Sequence, residues 1–158
     1  MSASPKSVLF VCLGNICRST MAEAMLNHML KARQVAEQWT VDSAATSTYE
    51  IGNEPDYRGN DVLERKGIER NRHLARQITK KDYEKFHYIF GFDEDNLRIL
   101  KQRKPASSTS LVRLLGDLDP QKERIIHDPY YDDEAAFEKV FVQNKRCLEA
   151  FLKEVLGD

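Results

Sequence analysis

Residues 8–19 read Val8-Leu9-Phe10-Val11-Cys12-Leu13-Gly14-Asn15-Ile16-Cys17-Arg18-Ser19. The stretch opens with β-branched and aromatic residues among its first four positions, which is typical of a buried strand. Beyond it, apolar residues recur at the spacing of one helix face, at Met21, Ala22, Met25, Leu26, Met29 and Leu30. A helix is therefore predicted to begin near Ser19, and Cys12 to Arg18 form a loop between a strand end and a helix start.

The rest of the chain alternates between the same two kinds of element. Strands are predicted at 39–43, 88–92 and 111–115, and helices at 56–66, which Gly67 would end, and at 96–100. The last helix has an apolar face formed by Phe137, Val140, Phe141, Cys147, Leu148, Phe151, Leu152 and Val155. This order predicts a single-domain α/β fold, with a four-stranded parallel sheet and helices on both faces. Ligands bind at the carboxyl ends of the strands in such sheets, where Cys12 lies.

Length and charge narrow the class of protein. The 158 residues carry a net charge of −1, which predicts one domain, residues 1–158, with no general attraction to nucleic acid or membrane surfaces. No apolar run approaches the roughly 18 residues of a transmembrane helix, and no apolar signal core precedes Val8. The three cysteines, an odd number, favour a reducing compartment, so we expect a cytoplasmic protein.

The loop carries the groups that a covalent phosphatase needs. Backbone N–H groups and the dipole at a helix N-terminus attract anions and favour the thiolate form of Cys12. Arg18 keeps its charge, and its planar fork can grip two phosphate oxygens. Ser19 can donate a hydrogen bond to the sulfur, and Gly14 and Asn15 tolerate the left-handed backbone angles of a tight loop. The sequence therefore predicts a phosphate-binding loop after the first strand.

A carboxylic acid is also needed, to protonate the leaving oxygen and then to activate water. The best candidate is Asp128, because Pro129 restricts its backbone. The two residues that follow, Tyr130 and Tyr131, can wall a pocket and stack on an aryl ring. Spacing alone leaves open the alternative that Asp128-Pro129 is an ordinary turn dipeptide.

Two separated motifs carry a resemblance to a known family. Residues 11–19 near the N-terminus, paired with residues 128–131, resemble the low-molecular-weight protein tyrosine phosphatases. The similarity continues through 41–53, 55–59, 73–79 and 114–116. It implies a four-stranded parallel sheet flanked by helices, and hydrolysis of phosphotyrosine in proteins through a cysteinyl-phosphate intermediate.

The resemblance also implies a role for each catalytic residue. Cys12 is the expected nucleophile, Arg18 the group that holds the phosphoryl oxygens, and Asp128 the general acid and then base. The phosphate is expected to lie on the backbone amides of Leu13, Gly14, Asn15, Ile16, Cys17 and Arg18.

Supporting and substrate-facing residues follow from the same resemblance. Ser19 stabilises the thiolate, while Ser43 and His73, with Asn15, keep the loop in shape and Asp93 gives structural support. The residues expected around the entrance, where they select a phenyl ring, are Tyr49, Tyr130 and Tyr131. The resemblance further implies that Cys12 and Cys17 can close into a disulfide under oxidant, and that Tyr130 or Tyr131 can be phosphorylated.

Four other functions compete with this one. An arsenate reductase needs a resolving cysteine near mid-chain, and none lies between Cys17 and Cys147. Relatives that prefer phosphoarginine tend to carry threonine at the position of Ile16. A module that traps phosphotyrosine without cleaving it would lack a nucleophile or an acid, and Arg18 with Asp128 argues against a sugar phosphocarrier.

Metals, cofactors and partners complete the expectations. The four histidines show no H-E-x-x-H spacing and the chain has no C-x-x-C, so no metal is predicted. We expect no cofactor, phosphotyrosine-containing proteins as partners, and a monomer or weak self-association through the aromatic pocket mouth.

Overall fold

The computed structural model describes residues 4–157, so the ends of the predicted domain, 1–3 and 158, lie outside the described residues. Four parallel strands form one sheet in the order β2-β1-β3-β4. They are β1 (Ser4–Cys12), β2 (Thr40–Ala45), β3 (Phe86–Gly91) and β4 (Leu111–Leu114). The predicted four-stranded parallel sheet is confirmed.

Helices cover both faces of this sheet. They are α1 (Arg18–Ala32), α2 (Tyr57–Arg65), α3 (Lys80–Lys85), α4 (Glu94–Arg103) and α5 (Glu134–Leu156). Helices α1, α2 and α5 contact one another on one face, whereas α3 and α4 contact β3 from the other. Within residues 4–157, no helix is long and apolar enough to cross a membrane.

Strand β1 explains why both faces must be covered. Successive side chains of a strand point to opposite faces, and all of those from Val8 to Cys12 are buried. Val8 and Phe10 belong to the core under α1 and α5, and Leu9 and Val11 to the core under α3 and α4. A strand apolar on both faces belongs in the middle of a parallel sheet, so β1 lies there and carries Cys12 at its end.

Element boundaries differ from the predicted ones where tertiary contacts decide. Strand β2 begins after Trp39, whose ring packs edge-on against Phe151 at 6.1 Å between centroids, and it runs on to Ala45, which pairs with Cys12. Helix α3 was not expected from its six mostly charged residues, since so short a helix is marginal alone. It is held by the capping box of Thr79 and Asp82.

The strand order creates a crevice at the carboxyl ends of the two central strands, β1 and β3. From β1 the chain crosses over to β2 on one side, and β3 lies on the other. In open parallel sheets ligands bind where neighbouring connections diverge in this way. Strands β1 and β3 pair in parallel with Phe10 opposite Phe90, so Cys12 lies at the same end of the sheet as Phe92 and Asp93, the residues after β3.

Candidate active site

A pocket of about 230 Å³ opens at the carboxyl end of β1. The structure brings to it the predicted thiol, guanidinium and acid, together with the three predicted tyrosines. Its lining residues are Cys12, Leu13, Gly14, Ile16, Cys17, Arg18, Tyr49, Glu50, Asp128, Tyr130 and Tyr131. Asn15, Ser19, Ser43 and His73 do not line it, and the Asn15 side chain is hydrogen-bonded to the other three. The sequence did not single out Glu50.

Arg18 is hydrogen-bonded along one edge, and within residues 4–157 its other edge has only a longer ion-pair contact with Asp128. Its Nη1 donates to Asp93 Oδ2 at 2.7 Å and to the carbonyl oxygen of Ile126 at 2.9 Å. Its Nε is buried without a hydrogen-bond partner among residues 4–157, and Nη2 lies 3.8 Å from Asp128 Oδ2. A buried donor without an acceptor is costly, so this edge is suited to two oxygens of a bound anion.

Nearby negative charges oppose the effect of burial on the pKa of Arg18. Burial acts to lower the pKa of Arg18, but Cys12, Asp93 and Asp128 outweigh it and the pKa is raised. The guanidinium therefore stays charged in a pocket where little water reaches it.

Asn15 ties the loop to the rest of the protein through all four of its side-chain hydrogen bonds. Its Nδ2 donates to the hydroxyl oxygens of Ser19 and Ser43, each at 2.9 Å. Its Oδ1 accepts from His73 Nε2 at 2.8 Å and from the backbone N–H of Arg76 at 3.1 Å. A buried amide with every bond satisfied has one stable orientation.

The loop backbone meets one of two expectations for left-handed residues. Asn15 has φ of 59°, but Gly14 is not among the residues with positive φ, so that expectation is wrong for Gly14. A Cβ at Gly14 would lie 3.3 Å from Glu50 Cγ, so a larger residue there would require the Glu50 side chain to shift by a few tenths of an ångström.

The sulfur faces a hydroxyl whose proton is free. Cys12 Sγ lies 3.1 Å from Ser19 Oγ. Because Asn15 already donates to that oxygen, the hydroxyl proton of Ser19 can point toward the sulfur, which suits a thiolate.

A second layer of polar groups supports Ser43 and His73. Ser43 Oγ donates to Glu23 Oε1 at 2.6 Å, which also accepts from Asn71 Nδ2 at 3.2 Å. His73 Nδ1 lies 3.4 Å from Asp42 Oδ1. Burial raises the pKa of Glu23, while its hydrogen bonds partly oppose that effect.

This layer also contains a set of atoms that could hold a metal. One ligand atom each from Glu23, Asp42 and His73 lie within 4.8 Å of one another. The carboxylates already accept hydrogen bonds from protein donors: Glu23 from Ser43, and Asp42 from Arg76. That no metal is used stays a prediction.

Asp128 lines the pocket directly before a short turn at 129–132. Its Oδ1 accepts from the backbone N–H of Tyr130 at 3.1 Å, and the N–H of Asp132 donates to the carbonyl of Pro129 at 2.9 Å. The side chain is 36% exposed, so it can reach both a leaving group and water.

The three tyrosines form an open aromatic wall. Tyr130 is 39% exposed, whereas Tyr49 and Tyr131 are 78% and 92% exposed. The rings of Tyr130 and Tyr131 meet edge to face with centroids 4.9 Å apart. With the apolar Ile16 deeper in the pocket, these rings leave space for a flat group.

The remaining cysteines are reduced and buried. Burial raises the pKa of Cys17, and the charge of nearby Cys12 adds to this effect. Burial raises the pKa of Cys147 to about 12. Both are therefore neutral thiols near neutral pH.

Fold and pocket together define an α/β protein with a thiol, a buried guanidinium and a carboxylate in one pocket after the first strand. Comparison with known proteins identifies one family. A family model described as low molecular weight phosphotyrosine protein phosphatase matches residues 7–158, and the chain belongs to this family. The chicken (Gallus gallus) protein of that name is 52% identical over 151 residues, covering 94% of this chain and 95% of its own.

Solved structures agree with this assignment. The crystal structure of Primo-1 has a TM-score of 0.90 at 40% identity and covers 96% of this chain and 99% of its own. The structure of DARP, a drosophila arginine phosphatase, has a TM-score of 0.88 at 37% identity, covering 94% and 96%. The fold and family expected from the sequence motifs are thereby confirmed.

Proposed function

We propose that this protein hydrolyses phosphotyrosine in proteins, and small aryl phosphates, through a cysteinyl-phosphate intermediate. The observation that carries the proposal is the buried Arg18 Nε, which has no hydrogen-bond partner among residues 4–157, in the pocket that also holds Cys12 and Asp128. Family membership supports it over the whole of residues 7–158.

In the first step the Cys12 thiolate attacks phosphorus. The S–P bond forms as the ester P–O bond breaks, and protonated Asp128 gives its proton to the leaving oxygen. The developing charge on the phosphoryl oxygens is stabilised by Arg18 and by the backbone amides of Leu13 to Arg18. Asp93 holds Arg18 in place through Nη1.

In the second step Asp128, now a carboxylate, takes a proton from water as the water attacks phosphorus. The P–S bond breaks and Cys12 leaves as a thiolate, stabilised by the hydroxyl of Ser19 at 3.1 Å. Ser43 and His73 act by holding Asn15, and so keep the loop in its shape.

For substrate choice we propose a phosphorylated aromatic ring, placed between Tyr49, Tyr130 and Tyr131. A second candidate is phosphoarginine, which the name of the drosophila neighbour brings into consideration. Ile16 in the pocket favours the ring, because an apolar side chain offers no partner to a guanidinium. Phosphotyrosine and phosphoarginine peptides of one sequence, compared by kcat/KM, distinguish the two.

The first test is turnover of p-nitrophenyl phosphate by the reduced protein beside Cys12→Ser. We expect activity that peaks on the acid side of neutrality, since Asp128 must be protonated while Cys12 is ionised. Cys12→Ser should have no turnover yet still bind phosphate, because Arg18 and the amide groups remain. If the reduced wild-type protein binds phosphate without turnover, the hypothesis of a module that traps phosphotyrosine without cleaving it is favoured.

Partners and location complete the proposal. We propose that residues 1–158 act as one phosphatase domain in the cytoplasm, on phosphotyrosine-containing proteins and without nucleic acid. The net charge of −1 and the odd number of cysteines support this. The exposed rings of Tyr130 and Tyr131 are compatible with a monomer that associates weakly, which sedimentation across a concentration series would test.

A further inference from the structure

Asp56 and Arg58, at the start of α2, together contact the phosphate loop and the turn that follows Asp128. Asp56 caps the helix, its Oδ1 accepting from the N–H of Arg58 at 2.9 Å. Its own backbone N–H donates to the carbonyl of Ile16, within the phosphate loop, at 2.8 Å. The N-terminus of α2 is thus attached to the loop that carries the nucleophile.

Arg58 extends this attachment to the loop that carries the acid. Its Nη2 donates to the carbonyl of Tyr130 and its Nη1 to the carbonyl of Asp132, each at 2.9 Å. The same guanidinium donates to both carboxylate oxygens of Asp56, at 3.1 and 2.9 Å. Arg58 therefore spans from the cap of α2 to the turn that follows Asp128.

The Arg58 guanidinium is packed against an aromatic ring and is mostly buried, unlike an arginine in an exposed surface ion pair. Its plane lies over the Phe137 ring, 4.5 Å from the centroid, and the side chain is only 19% exposed. Burial acts to raise the pKa of Asp56, but hydrogen bonds from Arg58 outweigh it and the pKa is lowered. The pair stays ionised, and the planar fork reaches several acceptors in a way that lysine cannot.

We propose that Arg58 is a positioning residue for the acid, which fixes the turn carrying Asp128 relative to the phosphate loop. The inference rests on the proposed function. Asp128 lies outside any helix or strand, directly before the turn at 129–132, so its placement depends on where the carbonyls of that turn are held. A misplacement of about 1 Å can cost a reaction about a hundredfold, and the loss should fall on proton transfer.

The experiment compares leaving groups. We expect Arg58→Gln to lower kcat/KM for phenyl phosphate at least about tenfold more than for p-nitrophenyl phosphate, which leaves well without a proton. Arg58→Lys keeps the charge and should give a smaller loss in the same direction. Inhibition by inorganic phosphate should change less than about threefold, because Arg18 and the loop amides are untouched.

Arg65→Gln is the matched control. Arg65 lies on the same helix and pairs with Glu138 of α5 at 2.9 Å, with 48% of its side chain exposed. Arg65→Gln should leave kcat/KM unchanged for both phenyl phosphate and p-nitrophenyl phosphate. Circular dichroism and the thermal midpoint, with and without phosphate, check that each variant is folded.

A double-mutant cycle identifies the route of the effect. If Arg58 acts through Asp128, Arg58→Gln should add less than about twofold to the loss of Asp128→Ala on phenyl phosphate, since coupled residues are non-additive. Equal losses on both substrates, or losses that multiply in the double variant, would overturn the inference. An inactive wild type, or an active Cys12→Ser, would instead overturn the proposed function, so the two failures are distinct.

Discussion

At the scale of single residues, Asn15 combines two constraints that no other residue type meets together. Its backbone is left-handed, with φ of 59°, which costs most residues about 1 kcal/mol or more. Its buried amide makes four hydrogen bonds. Glycine meets the first constraint alone, and aspartate lacks the two N–H donors.

Substitution of Asn15 separates these constraints. Asn15→Ala should lower the free energy of unfolding by about 2 to 4 kcal/mol, because backbone strain adds to lost hydrogen bonds. Asn15→Gly removes the strain and should be about 1 kcal/mol more stable than Asn15→Ala. Urea denaturation measures both, and both should lose most phosphatase turnover. A glycine variant no more stable than the alanine variant would contradict the strain argument.

The sequence identifies functional residues most directly when they lie close together in the chain, and least directly when their contacts join distant segments. Cys12 and Arg18 lie in one short loop, where strand and helix patterns define the chemistry. Arg58 meets the carbonyl of Asp132 across 74 residues, and Glu23 meets Ser43 across 20. Such contacts follow from packing, which leaves no local pattern. Ser43 and His73 were expected only from the family resemblance, and Arg58, Glu23 and Asn71 had to come from the structure.

At the scale of elements, sequence predicted the sheet and the long helices because their apolar patterns are strong. It missed α3, whose six residues depend on a capping box and on buried Tyr83. Two glycines show the same difference between a local backbone requirement and a tertiary contact. Gly67 was expected to end α2 and has φ of 77°, a local requirement. Gly116 is needed because a Cβ there would collide with the carbonyl of Arg124, a contact invisible to local patterns.

These two glycines should respond differently to alanine. Gly67→Ala adds a methyl group into open space and should cost about 1 kcal/mol for the left-handed backbone. Gly116→Ala forces backbone apart and should cost more than about 3 kcal/mol. Thermal and urea unfolding of both variants give the comparison. If the two substitutions cost the same, close backbone approach at Gly116 is not the determinant.

At the scale of the whole molecule, one buried ion pair joins α5 to the segment after β4. Arg146 Nε and Nη2 donate to the two carboxylate oxygens of Asp119 at 3.0 and 2.9 Å. The Asp119 side chain is fully buried, whereas that of Arg146 is 16% exposed. Asp119 also accepts from the backbone N–H groups of Gln121 and Glu123, so it organises the segment that leads to the acid turn.

This pair makes stability depend on pH. Hydrogen bonds from Arg146 lower the pKa of Asp119 below its ordinary value, although burial opposes them. A carboxyl whose folded-state pKa is lowered stabilises the protein above its unfolded pKa of about 3.9, and this contribution disappears as pH falls through the folded value. The wild-type protein should therefore exceed Asp119→Asn in free energy of unfolding by about 2 kcal/mol near neutral pH.

The difference between the two proteins should stay constant from neutral pH down to about 5 and shrink only as pH falls below the unfolded pKa of about 3.9 toward the lower folded value, because Asp119 in the folded wild type then becomes protonated and resembles the amide. Urea denaturation at several pH values measures it. Glu138→Gln is the comparison, since that carboxylate pairs with Arg65 at the surface with 36% exposure and should change stability by less than about 1 kcal/mol. A gap between wild type and Asp119→Asn that stays constant with pH would mean that packing of the side chain, and not its charge, joins α5 to the segment after β4.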